Sequence, residues 1–162
     1  MEKTAYLRKA TEEDAALIYK WANDDECRKN SFHSDQIKWE EHVEWFNKQL
    51  SDSSVFLFVL VDEGHNIGQI RLNQKENGYV ISYSIAKPYR LRGYGKQILM
   101  LAENYLYEIQ NDTILYAHVK KDNVASQLLF ESLGYDKHES ENDIEYEKFV
   151  ERHKAISYAR SK

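Results

Sequence analysis

Tyr79-Val80-Ile81-Ser82-Tyr83-Ser84-Ile85, followed by Arg90-Leu91-Arg92-Gly93-Tyr94-Gly95-Lys96 and then Ile98-Leu99-Met100-Leu101-Ala102, reads as a strand, a glycine-bearing turn and a helix. Glycine lets the backbone approach a ligand closely and turn its N–H groups toward it, and the helix that follows presents the positive end of its dipole. Lys87, Arg90, Arg92 and Lys96 flank the turn, with no acidic residue between positions 87 and 96. In a chain of formal net charge -5, such a basic block reads as a site for an anion. A nucleoside-triphosphate loop is disfavoured, because Gly95-Lys96-Gln97 lacks the Ser or Thr that would bind magnesium. No third glycine follows to complete a dinucleotide fingerprint.

Working outward, a second strand-to-helix junction follows the run Ile114-Leu115-Tyr116-Ala117-His118-Val119. There Asn123-x-x-Ser126-x-x-x-Phe130-x-x-x-Gly134-Tyr135 places Leu128, Leu129, Phe130 and Leu133 at helical spacing, with Gly134 suited to a left-handed helix end. Arg90-x-x-Gly93-x-Gly95 resembles the pyrophosphate-binding signature of the GCN5-related N-acetyltransferases. The Asn123 pattern resembles that family's second signature, and the two occur in the family's order, separated by one helix and one strand. The resemblance extends over roughly Thr4 to Phe149. It implies an α+β fold, with a mixed, mostly antiparallel sheet of about six to seven strands and helices on both faces, and acetyl-coenzyme A as cofactor.

Composition agrees with one domain. The chain has 162 residues and 42% hydrophobic content, enough for a single core, and residues 1–150 are assigned to it. The remaining residues, 151–162, form a polar tail to which no function is assigned. The longest apolar run, Val55 to Val61, is far shorter than the roughly 20 residues that span a bilayer, and reads as a buried strand. Met1 to Ala5 carries no apolar signal core and Cys27 is the lone cysteine, so a reducing cytoplasm is the expected location and neither a disulfide nor a metal site is implied. Acidic neighbours on its N-terminal side, Asp24-Asp25-Glu26, argue that Cys27 is inert. With a pI near 5.7, nucleic acid is an unfavourable partner. A small-molecule amine is the expected partner, with no membrane association, and the chain is expected to be a monomer or a homodimer.

The order of elements supports the same architecture. Thr4 to Lys9 reads as a strand, Thr11 as the cap of a helix, and Trp39, His42, Val43, Trp45, Phe46 and Leu50 as the apolar face of a helix over about 37–50. Strands over 54–62, 66–74 and 78–86 are joined by turns at Glu63-Gly64-His65-Asn66 and Lys75-Glu76-Asn77-Gly78, giving an antiparallel meander. Helix, strand, helix and two closing strands follow.

Acetyl transfer from a thioester to an amine needs a neutral amine, donors for the developing oxyanion, and a route for the thiolate to leave. In the resembling family the fourth strand splays from the fifth, which makes Tyr83, Ser84 and Ile85 the acetyl-site candidates. The cofactor set implied is those three residues together with Arg90, Leu91, Arg92, Gly93, Tyr94, Gly95, Lys96, Asn123, Ser126 and Phe130. Many members carry a tyrosine at the position of Phe130 to protonate the sulfur. Tyr94, Tyr83 or water are the substitutes, and a thiol pKa of about 8.5 makes loss of this acid tolerable. His118, five residues before Asn123, is the candidate base.

The N-terminal pattern, Trp21-x-Asn23-Asp24-x-x-x-Arg28 and Glu41-His42-x-x-Trp45-Phe46, resembles the subgroup that acetylates amino-sugar nucleotides, including the pseudaminic-acid pathway enzyme. Trp21, Arg28, Glu41, His42 and Arg71 are the acceptor candidates: rings to stack on a sugar or uracil, and Arg28, His42 or Arg71 to meet a diphosphate. Acetylation of a protein N-terminus shares the same motifs. A non-catalytic acyl-coenzyme A sensor is the alternative of another class, favoured by Phe130.

Overall fold

The run Val55 to Val61 becomes the centre of the fold in a computed structural model that describes residues 4–109 and 112–151. It lies in β2 (Val55–Asp62), between β1 (Tyr6–Lys9) and β3 (His65–Lys75), with β4 (Gly78–Ile85) beyond. Its continuous hydrophobicity has a simple cause, since helices cover both faces. Leu57, Val59 and Val61 pack with Trp21 and Phe46 on one side, while Phe58 and Leu60 join the larger core on the other. The first face is covered by α1 (Ala15–Ala22) and α3 (Trp39–Ser51), with the short α2 (Asp25–Asn30) between them in sequence. The second is covered by α4 (Tyr94–Ile109), whose Ile98, Leu99, Ala102 and Leu106 are buried, and by α5 (Val124–Ser132).

Seven strands form one sheet in the order β1-β2-β3-β4-β5-β7-β6, completed by β5 (Thr113–Val119), β6 (Asp136–Glu139) and β7 (Ile144–Val150). Every pairing is antiparallel except β4 with β5. The expected α+β sheet of six to seven strands with helices on both faces is the one observed. Boundaries differ by a few residues, each for a local reason. The helix expected over 37–50 begins at Trp39, because the Ile37 carbonyl accepts from Tyr19 Oη and Asn23 Nδ2, both at 2.9 Å, and the Ile37 N–H donates to Asn23 Oδ1. The β2–β3 turn is a tight two-residue connection in which both Glu63 and Gly64 have positive φ, and β3 therefore starts at His65. The polar tail assigned to 151–162 lies, beyond Glu151, outside the described residues.

One pairing positions the site. β4 and β5 run parallel, and among the described residues their ladder is limited to Gly78–Ile114, Tyr79–Leu115 and Val80–Tyr116. Gly78 is buried there, and a Cβ on it would overlap the Ile114 carbonyl, so the close approach requires glycine. Beyond Val80 the strands part, leaving Ile81–Ile85 and Ala117–Val119 without a ladder between them.

Candidate active site

The loop that follows the gap has the backbone its sequence calls for. Leu91 and Gly93 have φ of 62° and 83°, and a side chain at Gly93 would meet open space, so the glycine serves conformation. α4 begins at Tyr94, and the amides of Tyr94, Gly95 and Lys96 have no intrahelical acceptor. Lys87, Arg92 and Lys96 are exposed or near the surface with no carboxylate partner among the described residues, and the Arg92 guanidinium sits 6.0 Å from the Tyr89 ring. This combination of free amides, dipole and cations fits a pyrophosphate-bearing cofactor. Arg90 corrects the expectation of a fourth free cation. Its Nε donates to the Ile85 carbonyl at 2.9 Å, and its terminal nitrogens pair with Asp24 and Glu26, each at 2.7 Å. The residue therefore anchors the loop to α2. Burial raises the Asp24 pKa, but the Arg90 hydrogen bond and the Cys27 and Glu26 amides outweigh it, so the carboxyl stays below its usual range. Cys27 lies half-buried under Arg90, and burial pushes its thiol up, consistent with an inert residue.

The two sequence signatures meet at the gap. Tyr83 Oη lies 3.0 Å from Ser126 Oγ, and Ser126 Oγ accepts from Asn123 Nδ2 at 3.2 Å. Asn123 also caps α5 by accepting from the Ser126 amide. Burial raises the Tyr83 pKa against the opposing Ser126 bond, so the phenol keeps its proton. Alternation along β4 sends Ser84 to the opposite face, where it accepts from Gln69 Nε2 at 3.1 Å. Two expected roles change. Phe130, expected to line the cofactor, is 2% exposed and packs beneath Tyr83, Tyr135 and Tyr146 as a core residue. Tyr94, expected as an alternative acid, donates to Asp62 Oδ2 at 2.6 Å at the C-terminal end of β2, two strands from β4, which engages its proton with that carboxylate.

On the face shared with α1 and α3, sheet register brings Arg71 beside Ser82, Val80 beside Tyr116, and His118 beside Glu145. Arg71 lies over the Trp45 ring at 5.0 Å, with Nε on Asn73 Oδ1 at 2.8 Å and no carboxylate partner among the described residues. Burial alone pulls its pKa below the usual value, a sign that the charge is poorly solvated. Lys75 sits 4.4 Å over the Tyr116 ring, likewise with no carboxylate partner among the described residues. Across the gap, His118 Nδ1 is 3.3 Å from Asp143 Oδ2.

The remaining acceptor candidates divide differently. Arg28 closes the 31–35 loop: its guanidinium donates to the carbonyls of Ala22, His33 and Asp35 and to Ser31 Oγ. His42 is 2% exposed, hydrogen-bonded through Nε2 to the Ala15 carbonyl and ringed by Tyr19, Trp39, Trp45 and Phe46. Burial lowers its pKa, so it is a neutral core residue and not a phosphate ligand. Trp21 is buried and lines a small cleft of about 230 Å³ between α1 and Ile85, Pro88 and Tyr89, away from Arg71. Glu41 is exposed one helical turn before Trp45. Lys75, Ser82, Tyr116, Asp143 and Glu145 were missed. For Lys75, Ser82, Tyr116 and Glu145 the only signal is the period-two alternation that, once registers are known, puts them on one face, whereas Asp143 lies in the turn between β6 and β7 and carries no such signal. Among the described residues no cluster of His, Cys, Asp and Glu could hold a metal, and no helix is long and apolar enough to cross a membrane.

Comparison with known proteins agrees with this geometry. A domain from Methanocaldococcus jannaschii superposes with a TM-score of 0.80 at 23% identity, covering 92% of this chain and 100% of that one. A Vibrio cholerae spermidine N-acetyltransferase, solved with coenzyme A and spermine, gives 0.79 at 18% identity, with coverage of 94% and 98%. A ribosomal-protein α-N-acetyltransferase solved with coenzyme A gives 0.78 at 12% identity, with coverage of 92% and 96%. No curated protein matches the sequence. The family model described as an acetyltransferase (GNAT) domain matches residues 5–136. The chain therefore belongs to the GNAT acetyltransferases and is an acetyl-coenzyme A-dependent acyltransferase.

Proposed function

We propose that the acceptor is the primary amine of a nucleotide-linked amino sugar, held across the Arg71–His118 face. The observation that carries the reading is the Arg71 guanidinium stacked on Trp45 with no carboxylate partner among the described residues, reinforced by Lys75 over Tyr116. A desolvated cation without a carboxylate is poised for a bidentate phosphate. On the side of β5 and β7, Asp143 and Glu145 beside His118 favour an ammonium. β3 and β5 are two strand spacings apart, roughly 10 Å. A sugar ring between an amine and a diphosphate suits that polarity, whereas a polyamine would meet repulsion from Arg71 and Lys75.

Acetyl-coenzyme A, when bound, supplies the activated acyl group. The loop amides of Tyr94 to Lys96 with Lys87, Arg92 and Lys96 would hold its pyrophosphate, and Asn123 with Ser126 its pantetheine arm. His118 takes the ammonium proton at Nε2, unpaired backbone N–H groups of β4 at the gap offer donors to the carbonyl oxygen, and Tyr83 Oη holds the proton for the departing sulfur.

Free coenzyme A release is the test, with UDP-amino-sugars, N-terminal peptides and spermidine as acceptors. Wild type should turn over the UDP-amino-sugars. Arg71→Ala should raise KM for them at least tenfold, with KM for acetyl-coenzyme A unchanged, and Gly93→Glu should abolish cofactor binding. Turnover of peptides or spermidine alone would replace the acceptor assignment. Cofactor binding with no turnover on any acceptor would favour the sensor.

A further inference from the structure

We infer that Asp143 is a positioning residue that fixes the tautomer of His118 and leaves Nε2 free to accept the acceptor's proton. The inference rests on the reading of His118 as base and adds a residue to it. Asp143 ends the turn between β6 and β7. Ser140 Oγ donates to Asp143 Oδ1 at 2.6 Å, and the Ser140 N–H donates to the Asp143 carbonyl at 3.0 Å, which holds the carboxylate in one orientation. Its other oxygen, Oδ2, faces His118 Nδ1 at 3.3 Å. The Ser140 bond, opposed by slight desolvation and aided by His118 and Lys121, keeps Asp143 below the usual carboxylate range, so it is ionised at neutral pH.

An ionised carboxylate only accepts hydrogen bonds. Neutral His118 must then carry its proton on Nδ1, and the lone pair falls on Nε2. No described group bonds Nε2, and the side chain is 37% exposed on the face that holds Ser82 and Ser84 at the gap. The other charged groups around the imidazole are Glu145, its register partner on β7, then His138 and Glu147, which pair with each other at 3.7 Å, and Lys121. Lys120 is turned away to the Lys29 carbonyl at 2.9 Å. Of these, Asp143 is the acid within hydrogen-bonding reach of the ring.

The test is imidazole ¹⁵N NMR on the full chain combined with steady-state kinetics. Wild-type neutral His118 should show the Nδ1–H tautomer. In Asp143→Asn that preference should be lost, because the carboxamide can donate as well as accept. The same variant should lower kcat about tenfold or more with little change in KM for acetyl-coenzyme A, and Asp143→Glu should restore part of the rate. A wild-type Nε2–H tautomer would overturn the proposal without any variant. So would an Asp143→Asn protein with unchanged tautomer, or with unchanged kcat while His118→Ala is impaired. Undiminished turnover in His118→Ala would instead remove the base itself, and with it the need for a positioning residue.

Discussion

Replacing Gly78 with alanine sets two physical effects against each other, so the sign of the result is informative. Alanine restricts the unfolded chain, and by propensity alone the change should stabilise a strand by about 0.5–1 kcal/mol. The structure argues the reverse. The added Cβ would stand 2.6 Å from the Ile114 carbonyl carbon and 2.9 Å from its nitrogen, and closer still to the oxygen. Ordinary carbon contacts lie at about 3.5–4.0 Å, so β4 and β5 would have to separate by about 1 Å. The strands are held by three register pairs only, and losing about three backbone hydrogen bonds at roughly 1 kcal/mol each costs about 3 kcal/mol. The net expectation is destabilisation by about 2–3 kcal/mol, a large share of the 5–15 kcal/mol typical of a domain. Because the same ladder sets where the gap opens, KM for acetyl-coenzyme A should also rise. Urea unfolding followed by tryptophan fluorescence, with parallel kinetics, measures both. A Gly78→Ala protein as stable as wild type or more so would refute the steric reasoning.

Three further expectations follow from other contacts. Tyr83→Phe keeps the ring packed on Phe130 but removes the proton held at Ser126, so kcat should fall about tenfold with stability nearly unchanged; an unaltered kcat would exclude the phenol as acid. Lys148 holds the buried Glu103 carboxylate at 3.1 and 3.2 Å and the Leu133 carbonyl at 2.8 Å. Lys148→Met should destabilise by roughly 2–3 kcal/mol, low for a buried pair because Lys148 keeps some solvent, and adding Glu103→Gln should recover part; no cost in the single variant would contradict this account. The Arg8 hydrogen bonds, with the Thr11 amide, hold Asp14 below its usual value of 3.8 despite burial. A depressed folded-state pKa means the contribution is complete above about pH 4 and is lost as pH falls through the folded value, so wild type should lose stability between pH 5 and 3 more steeply than Asp14→Asn. Parallel pH profiles for the two proteins would show that the pair contributes nothing.

The backbone of the glycine loop and the cap at Asn123 were legible because their determinants are local. Gly93 answers to a left-handed φ, and Asn123 caps the helix that carries Ser126, both within a few residues of chain. The roles of cations and acceptor residues were misread where contacts made in the folded chain intervene. Arg90 looked like a free cation, since nothing in the neighbouring sequence announces Asp24, 66 positions away. His42 looked like a ligand by residue type, yet it bonds the Ala15 carbonyl, 27 positions away, and Arg28 is taken up by carbonyls only five to seven positions along the chain. Phe130 looked like a cofactor-lining residue, and its burial under Tyr83 is a packing outcome.

From sequence alone came the order of elements, the anion loop at the start of α4 and the family, because hydrophobic period, turn residues and capping are written within short stretches of chain. The tertiary structure alone decided which cations remain unpaired, which face holds Arg71 together with His118, and that Asp143 meets the imidazole. Those facts depend on strand register and on pairings between distant side chains, and no local pattern encodes them.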